Sequence, residues 1–176
     1  VGTVEPRKGY DVALAAFAHL WRHSGHDAPA LAIVGKRGWK TEELQSRIRG
    51  HKEHGRRLFW LDDASDEALT QLYRECSAVL FTSWREGFGL PVIEAAHYRR
   101  WALVRELPVF AEQNLPNLRY FSDDSPGALS RAVMDLLRIA AVDDPPKSQM
   151  ASWSCCVDRL IDEMGLGDTR EISAAI

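Results

Sequence analysis

The sequence predicts an α/β fold, a doubly wound parallel sheet of the Rossmann-like kind, and three observations carry that expectation. Short apolar, β-prone runs recur along the chain, amphipathic helical patterns separate them, and loops rich in glycine or charge follow the runs. The runs are Val1 to Val4, Leu31 to Val34, Leu58 to Leu61, Ala78 to Phe81 and Ala102 to Val104, short, apolar and β-prone as buried parallel strands are. Between the first two, Leu14, Phe17, Ala18 and Trp21 fall on one helical face; between the third and fourth, Leu69, Leu72, Tyr73 and Cys76 do the same. Leu90-Pro91 opens the next helix, with proline in the first turn where no N–H is needed. Ser125-Pro126 starts another, whose apolar stripe is Leu129, Ala132, Val133, Leu136 and Leu137. Asp143-Asp144-Pro145-Pro146 breaks the chain, and a last helix carries Trp153, Cys156, Val157, Leu160, Ile161 and Met164 before Gly165. The expected division is a Rossmann-like domain over residues 1–142, then a linker and C-terminal helix over 143–176.

Composition narrows the function. The 176 residues are 45% hydrophobic and 27% charged, enough for one compact domain with its own core. A net charge of -3 argues against nucleic-acid binding and against a polybasic membrane surface. No apolar run reaches the ~20 residues of a membrane span, and the start has no signal-peptide pattern, so the expected location is cytoplasmic, with peripheral membrane association of a longer protein left open. Cys76, Cys155 and Cys156 lack the spacing of a disulfide framework or zinc site. The first residue is Val rather than Met, inside an apolar run, which leads us to expect preceding polypeptide.

The candidate chemistry gathers after the strands, where open α/β sheets bind ligands. Glu86-Gly87-Phe88-Gly89-Leu90-Pro91-Val92-Ile93-Glu94 sets two carboxylates around a glycine-rich turn that runs into a helix. Gly87 and Gly89 permit close backbone approach, the helix start suits a phosphate, and the Glu94 carboxylate can accept from vicinal hydroxyls such as those of ribose. By itself the turn reads equally well as an ordinary tight turn before a helix. Arg7 and Lys8, after the first run, are cations suited to a diphosphate, although on residue type alone a solvated charge pair is the plainer reading. Leu61 and Asp62 end a strand where a nucleobase or a simple turn fits equally. The pairs Asp62-Asp63, Asp123-Asp124 and Asp143-Asp144 read as solvated turns, and His97, a turn beyond Glu94, is not assigned a catalytic role.

The nonapeptide Glu86 to Glu94 resembles the Glu-(seven residues)-Glu signature of retaining glycosyltransferases of family 4, the group 1 enzymes with the GT-B fold. Val1 to Gly9, Ile33 to Trp39, Leu58 to Asp66 and Leu107 to Phe110 are similar to family segments in the same order, and the texture is nearest the mannosyltransferase-like branch. The resemblance implies one half of a GT-B enzyme, its C-terminal donor-binding domain. The implied reaction moves a sugar, mannose being one candidate, from a GDP- or UDP-linked donor to an acceptor hydroxyl with retention, without a metal or other cofactor. It further implies catalytic roles for Glu86, Lys8 and Arg7, with Thr3, Gly35, Leu61, Asp62, Gly87, Phe88, Gly89, Leu90 and Glu94 binding the nucleotide sugar. Within that set the backbone of Gly87 to Leu90 contributes N–H groups, and the Phe88 ring is expected to pack internally. The glycan or lipid-linked acceptor belongs to an N-terminal domain outside this chain, so the chain alone is expected to bind nucleotide and transfer little sugar. Two departures stand out: relatives continue after the second glutamate to a Gly-x-Pro segment, where this chain reads Ala95 to Trp101, and Arg105 stands where a small residue is common. They put the local pocket in question and keep an alternative alive, a non-catalytic nucleotide-binding module of a larger multidomain protein. A nicotinamide-dependent oxidoreductase is disfavoured, since Val1-Gly2-Thr3-Val4 lacks the G-x-G-x-x-G turn.

Overall fold

The computed structural model describes residues 1–25 and 28–147; the expected helix from Trp153 to Met164 lies outside the described residues. A 3₁₀ turn at Pro6–Lys8 leads into α1 (Tyr10–His23). There follow β1 (Leu31–Val34), α2 (Glu42–Arg49), β2 (Leu58–Leu61), α3 (Asp66–Glu75), β3 (Ala78–Phe81), α4 (Leu90–His97), β4 (Trp101–Arg105), α5 (Pro108–Glu112), β5 (Leu118–Phe121) and α6 (Pro126–Val142). All strand pairs are parallel, and helices alternate with the strands as the periodicity requires.

Two expectations need correction. The strands form two sheets, β1-β2 and β3-β4-β5, rather than one. Val1 to Val4 is no ladder strand: it runs beside the C-terminal end of β1, with Gly2 N–H donating to Val34 O at 2.8 Å and Val4 N–H to Lys36 O at 2.9 Å. The pairing is displaced toward the rim, so only Val4 forms a bridge, to Arg37. Two elements also went unforeseen. In β5 the middle residues Arg119 and Tyr120 are exposed, so the apolar run that marks the other strands is absent. The short helix α5 begins at Pro108, with extended Leu107 before it as a residue preceding proline must be.

Alternation along β4 divides the core. Trp101 and Leu103 join Leu14, Phe17 and Leu20 of α1 and Leu129, Val133 and Leu136 of α6 on one face. Ala102 and Val104 meet Tyr73 of α3, Val92 and Ala95 of α4, and Phe110 of α5 on the other. All five β4 residues are buried, as befits a strand covered on both sides. The stripe read in α6 is confirmed, although Ser125 does not cap it through its side chain; Asp123 Oδ1 instead accepts from Ser125 N–H at 2.9 Å.

The segment lacking the expected Gly-x-Pro closes α4 by another route. Arg99 takes the left-handed conformation (φ 53°), letting Arg100 N–H reach Ala95 O at 2.8 Å, five residues back, the closure that glycine usually provides. A side chain there costs about 1 kcal/mol. We predict that Arg99→Gly raises unfolding free energy by about 0.5–1 kcal/mol in a urea titration; a loss of stability would show that the Arg99–Asp144 contact at 3.4 Å outweighs the backbone strain.

Candidate functional site

The loop before α1 and the turn before α4 are pressed together at the C-terminal rim of β3. Gly9 makes this possible: at φ 63° its ideal Cβ would stand 2.3 Å from Thr82 O, a contact that no side chain survives. Trp84 N–H donates to Arg7 O at 2.8 Å, and Thr82 Oγ1 to Lys8 O at 3.1 Å. This stitching sets Lys8 Nζ 2.7 Å from Glu86 Oε1, which also accepts from Ser83 Oγ at 2.7 Å. Arg7 reaches Glu86 Oε2 at 3.3 Å and Glu5 Oε1 at 2.6 Å. The Glu86 and Lys8 side chains are 7% and 12% exposed, whereas Arg7 is 46% exposed. Lys8 is therefore a held cation and not a solvated one, while the Arg7 contact is screened by water and worth little on its own. Burial raises the Glu86 carboxyl pKa, but the hydrogen bonds from Lys8 and Ser83 and the charges of Lys8 and Arg7 outweigh it, leaving the group below its ordinary range.

The second glutamate is also fixed. Tyr73 of α3 donates its hydroxyl to Glu94 Oε2 at 2.8 Å, and its ring stacks on Tyr98 with centroids 5.4 Å apart. Burial, then the Glu94 hydrogen bond, pushes the Tyr73 hydroxyl pKa upward, so it stays a donor. Between the glutamates, Gly89 adopts φ 77° against the Phe110 ring and N-caps α4 without a side-chain acceptor; Pro91 has no N–H and Val92 N–H donates to Gly89 O at 2.9 Å, so Leu90 N–H is the first amide of the helix start. Gly87 has open space where a Cβ would stand. Phe88 and Leu90 are 59% and 61% exposed, which corrects the expectation that the Phe88 ring packs internally.

Other expected positions are spread along the rim. Gly35 lies against Gly2 O, and Thr3 is exposed beside it. Asp62 is engaged by Arg37 at 3.1 Å and Arg49 at 3.7 Å, and Leu61 before it is partly exposed. Trp39, more than half exposed, donates its indole N–H to Glu5 Oε2 at 3.0 Å. Among the described residues no group of three or more His, Cys, Asp or Glu side chains is placed to hold a metal, and no helix is long and apolar enough to cross a membrane.

Sequence reasoning missed the supports of this site. Arg105, marked as a departure that puts the pocket in question, is buried: its Nε and Nη2 each lie 3.3 Å from Thr82 O, Nη1 bonds Asp124 at 3.1 Å, and the guanidinium stacks on Trp84 at 3.7 Å. It braces the Thr82-Ser83-Trp84 turn that holds Glu86. Ser83 and Tyr73 carried a weak signal, one three residues before Glu86 and the other within an apolar stripe, and only tertiary packing aims their hydroxyls.

Residues 1–149 match the family model described as Glycosyl transferases group 1. The chain belongs to this family. It is 42% identical over 153 residues to the serotype-specific mannosyltransferase WbdA of Escherichia coli, covering 87% of this chain and 18% of that protein. Similarity to the Escherichia coli O-antigen chain mannosyltransferase B is 36% over 98 residues, or 54% of this chain and 24% of the relative. The chain thus spans about a fifth of the length of its curated relatives. The C-terminal domain of the group 1 glycosyl transferase LpcC of Francisella tularensis superposes with a TM-score of 0.64 at 17% identity, covering 78% of this chain and 73% of that one. The pneumococcal O-GlcNAc transferase GtfA, solved with UDP and GlcNAc, gives 0.60 at 18% identity over 80% of this chain and 28% of that one. These likenesses show the expected fold, that of the C-terminal domain of a group 1 glycosyl transferase.

The Glu86 ionisation has a measurable consequence. Its folded pKa lies below the unfolded value, so its contribution is present above the unfolded pKa and is lost as pH falls through the folded one. We predict that Glu86→Gln costs about 1.5–3 kcal/mol near neutral pH and progressively less in acid, measured by urea unfolding across pH. An equal penalty at all pH values would mean that the charge is not what holds Lys8.

Proposed function

We propose that this chain is the donor-nucleotide-binding half of a retaining glycosyltransferase that moves a hexose from a nucleotide-diphosphate sugar to an acceptor hydroxyl. The observation that carries this reading is the juxtaposition of Lys8, Arg7, Ser83 and Glu86 beside the uncapped start of α4, with Glu94 a turn further on. The similarity to mannosyltransferases favours mannose as the sugar, and a GDP- or UDP-linked donor fits the diphosphate grip.

The chemistry follows from placement. Breaking the anomeric C–O bond sends its electron pair to the departing diphosphate, whose growing charge meets Lys8, Arg7 and the positive end of α4 at Leu90. Glu86 holds Lys8 Nζ in place beforehand at 2.7 Å, so little reorganisation accompanies the step. Glu94, steadied by Tyr73, accepts from the ribose hydroxyls. The acceptor oxygen bonds the anomeric carbon on the face the diphosphate leaves, and its proton passes to a departing phosphate oxygen, so no side-chain nucleophile or resident cofactor enters the sequence of steps. The acceptor is a glycan or lipid-linked glycan held by the N-terminal part of the longer protein, acting in the cytoplasm or at its membrane face. The alternative, a non-catalytic nucleotide-binding module, loses its motive, because the two departures that suggested it are a completed helix end at Arg99 and a brace at Arg105.

Calorimetric titration with GDP, UDP and ADP in EDTA tests the proposal. We expect saturable binding of one nucleotide, weakened about tenfold or more by Lys8→Ala and by Glu94→Ala, since each removes a charge-assisted hydrogen bond. No binding by chain shown to be folded by circular dichroism would refute it.

A further inference from the structure

Two cations and two carboxylates meet at the proposed donor site. Lys8 and Arg7 face the diphosphate and Glu86 holds Lys8. Glu5 has no part in that chemistry, yet its Oε1 lies 2.6 Å from Arg7 Nη2 and so occupies one edge of a cation that the diphosphate needs. We propose that Glu5 sets how many phosphates the site accepts, admitting a nucleoside diphosphate or its sugar ester and rejecting a nucleoside triphosphate. This role rests on the donor-site reading above and adds to it a residue that selects against a competing ligand.

The Glu5 carboxylate is not spent on the backbone. Glu5 stands at the N-cap of the 3₁₀ turn without a side-chain bond to it. Its Oε2 instead accepts from the Trp39 indole N–H at 3.0 Å, so each carboxylate oxygen has a partner, and the side chain is only 13% exposed. Trp39 is itself fixed, because its loop is pinned on both sides. Gly38 passes so near Val4 O that an ideal Cβ would stand 2.3 Å from it. Thr41 Oγ1 lies 3.2 Å from Val4 O and 3.1 Å from Gly38 O, and Lys40 holds a left-handed φ of 50°. The negative charge is thus held beside Arg7 rather than free to swing away.

The balance of charge then decides what binds. The formal charges of Lys8, Arg7, Glu5 and Glu86 cancel, and the ion pairs that join them are 2.6 to 3.3 Å long. A diphosphate draws on the two cations and on the start of α4. In a triphosphate the γ-phosphoryl group takes the place that the reading gives the sugar, next to Glu86. It brings a further negative charge, for which these four residues hold no unpaired cation. Both carboxylates repel it, and because Glu5 and Glu86 are mostly shielded from water that repulsion is weakly screened. A hexose in the same place is uncharged, and its hydroxyls can donate to a carboxylate.

The test is calorimetric titration of the chain, and of its Glu5→Gln and Glu5→Asp variants, with GDP against GTP and UDP against UTP in EDTA. Glutamine keeps an oxygen for the Trp39 indole and removes the charge, whereas aspartate keeps the charge. The expected result is that the unaltered chain prefers the diphosphate of the base it binds by about tenfold or more. Glu5→Gln narrows that preference about fivefold by gaining affinity for the triphosphate, and Glu5→Asp retains it. If Glu5 only holds Arg7 in position, Glu5→Gln weakens both nucleotides alike; an unchanged ratio would overturn the proposal and leave the donor site standing. Absence of binding by all four nucleotides, in chain shown to be folded by circular dichroism, would overturn both.

Discussion

The path of Gly2 to Gly9 across the ends of both sheets is the constraint on which the site depends. It bonds to β1 through Gly2 and Val4, and to the turn after β3 through Arg7 and Lys8. A glycine is required where it passes Thr82, because no Cβ fits there. Those bonds place the Lys8 ammonium against the Glu86 carboxylate. The ion pair is thus a product of backbone routing, and it in turn ties the glutamate turn to the loop before α1.

Electrostatics then separates the residues that matter most from those that assist. Lys8 and Glu86 are nearly excluded from water, so their attraction is weakly screened, and Ser83 takes up further acceptor capacity on the carboxylate. Arg7 shares its charge between Glu5 and Glu86 in solvent and contributes to the local field more than to stability. Arg105 works from beneath: a buried guanidinium between Trp84 and Phe121, bonded to the Thr82 carbonyl, resists movement of the turn above it. In the proposed reaction such rigidity favours the departing diphosphate, because donors already in place need not reorient.

Much of this architecture was legible in the sequence. Apolar runs located β1 to β4 within a residue, β4 most plainly because its residues are buried on both faces, and Leu90-Pro91 marked α4 through the missing N–H of proline. The glutamate turn and the basic loop were readable as separate pieces. Their contact was not, since Lys8 and Glu86 are 78 residues apart and only the parallel topology brings their loops to one rim. β5 escaped because its half-exposed Arg119 and Tyr120 carry no periodic signal. Phe88 misled because aromatic residues in turns usually pack, whereas here Phe110 takes the internal position against Gly89. Arg105 looked like a disturbance in a strand that should end in a small residue, and the compensating partners, Asp124 and Trp84, lie on other elements.

The measurement that tests the central claim most directly is amide chemical-shift mapping of the isotopically labelled chain during titration with GDP-mannose. The account predicts saturable shifts concentrated at Lys8, Ser83 and the amides of Gly87 to Leu90, with a smaller response at Glu94 and Tyr73. Saturable shifts centred elsewhere, with these amides unmoved, would contradict it and place the ligand site away from the Lys8–Glu86 pair.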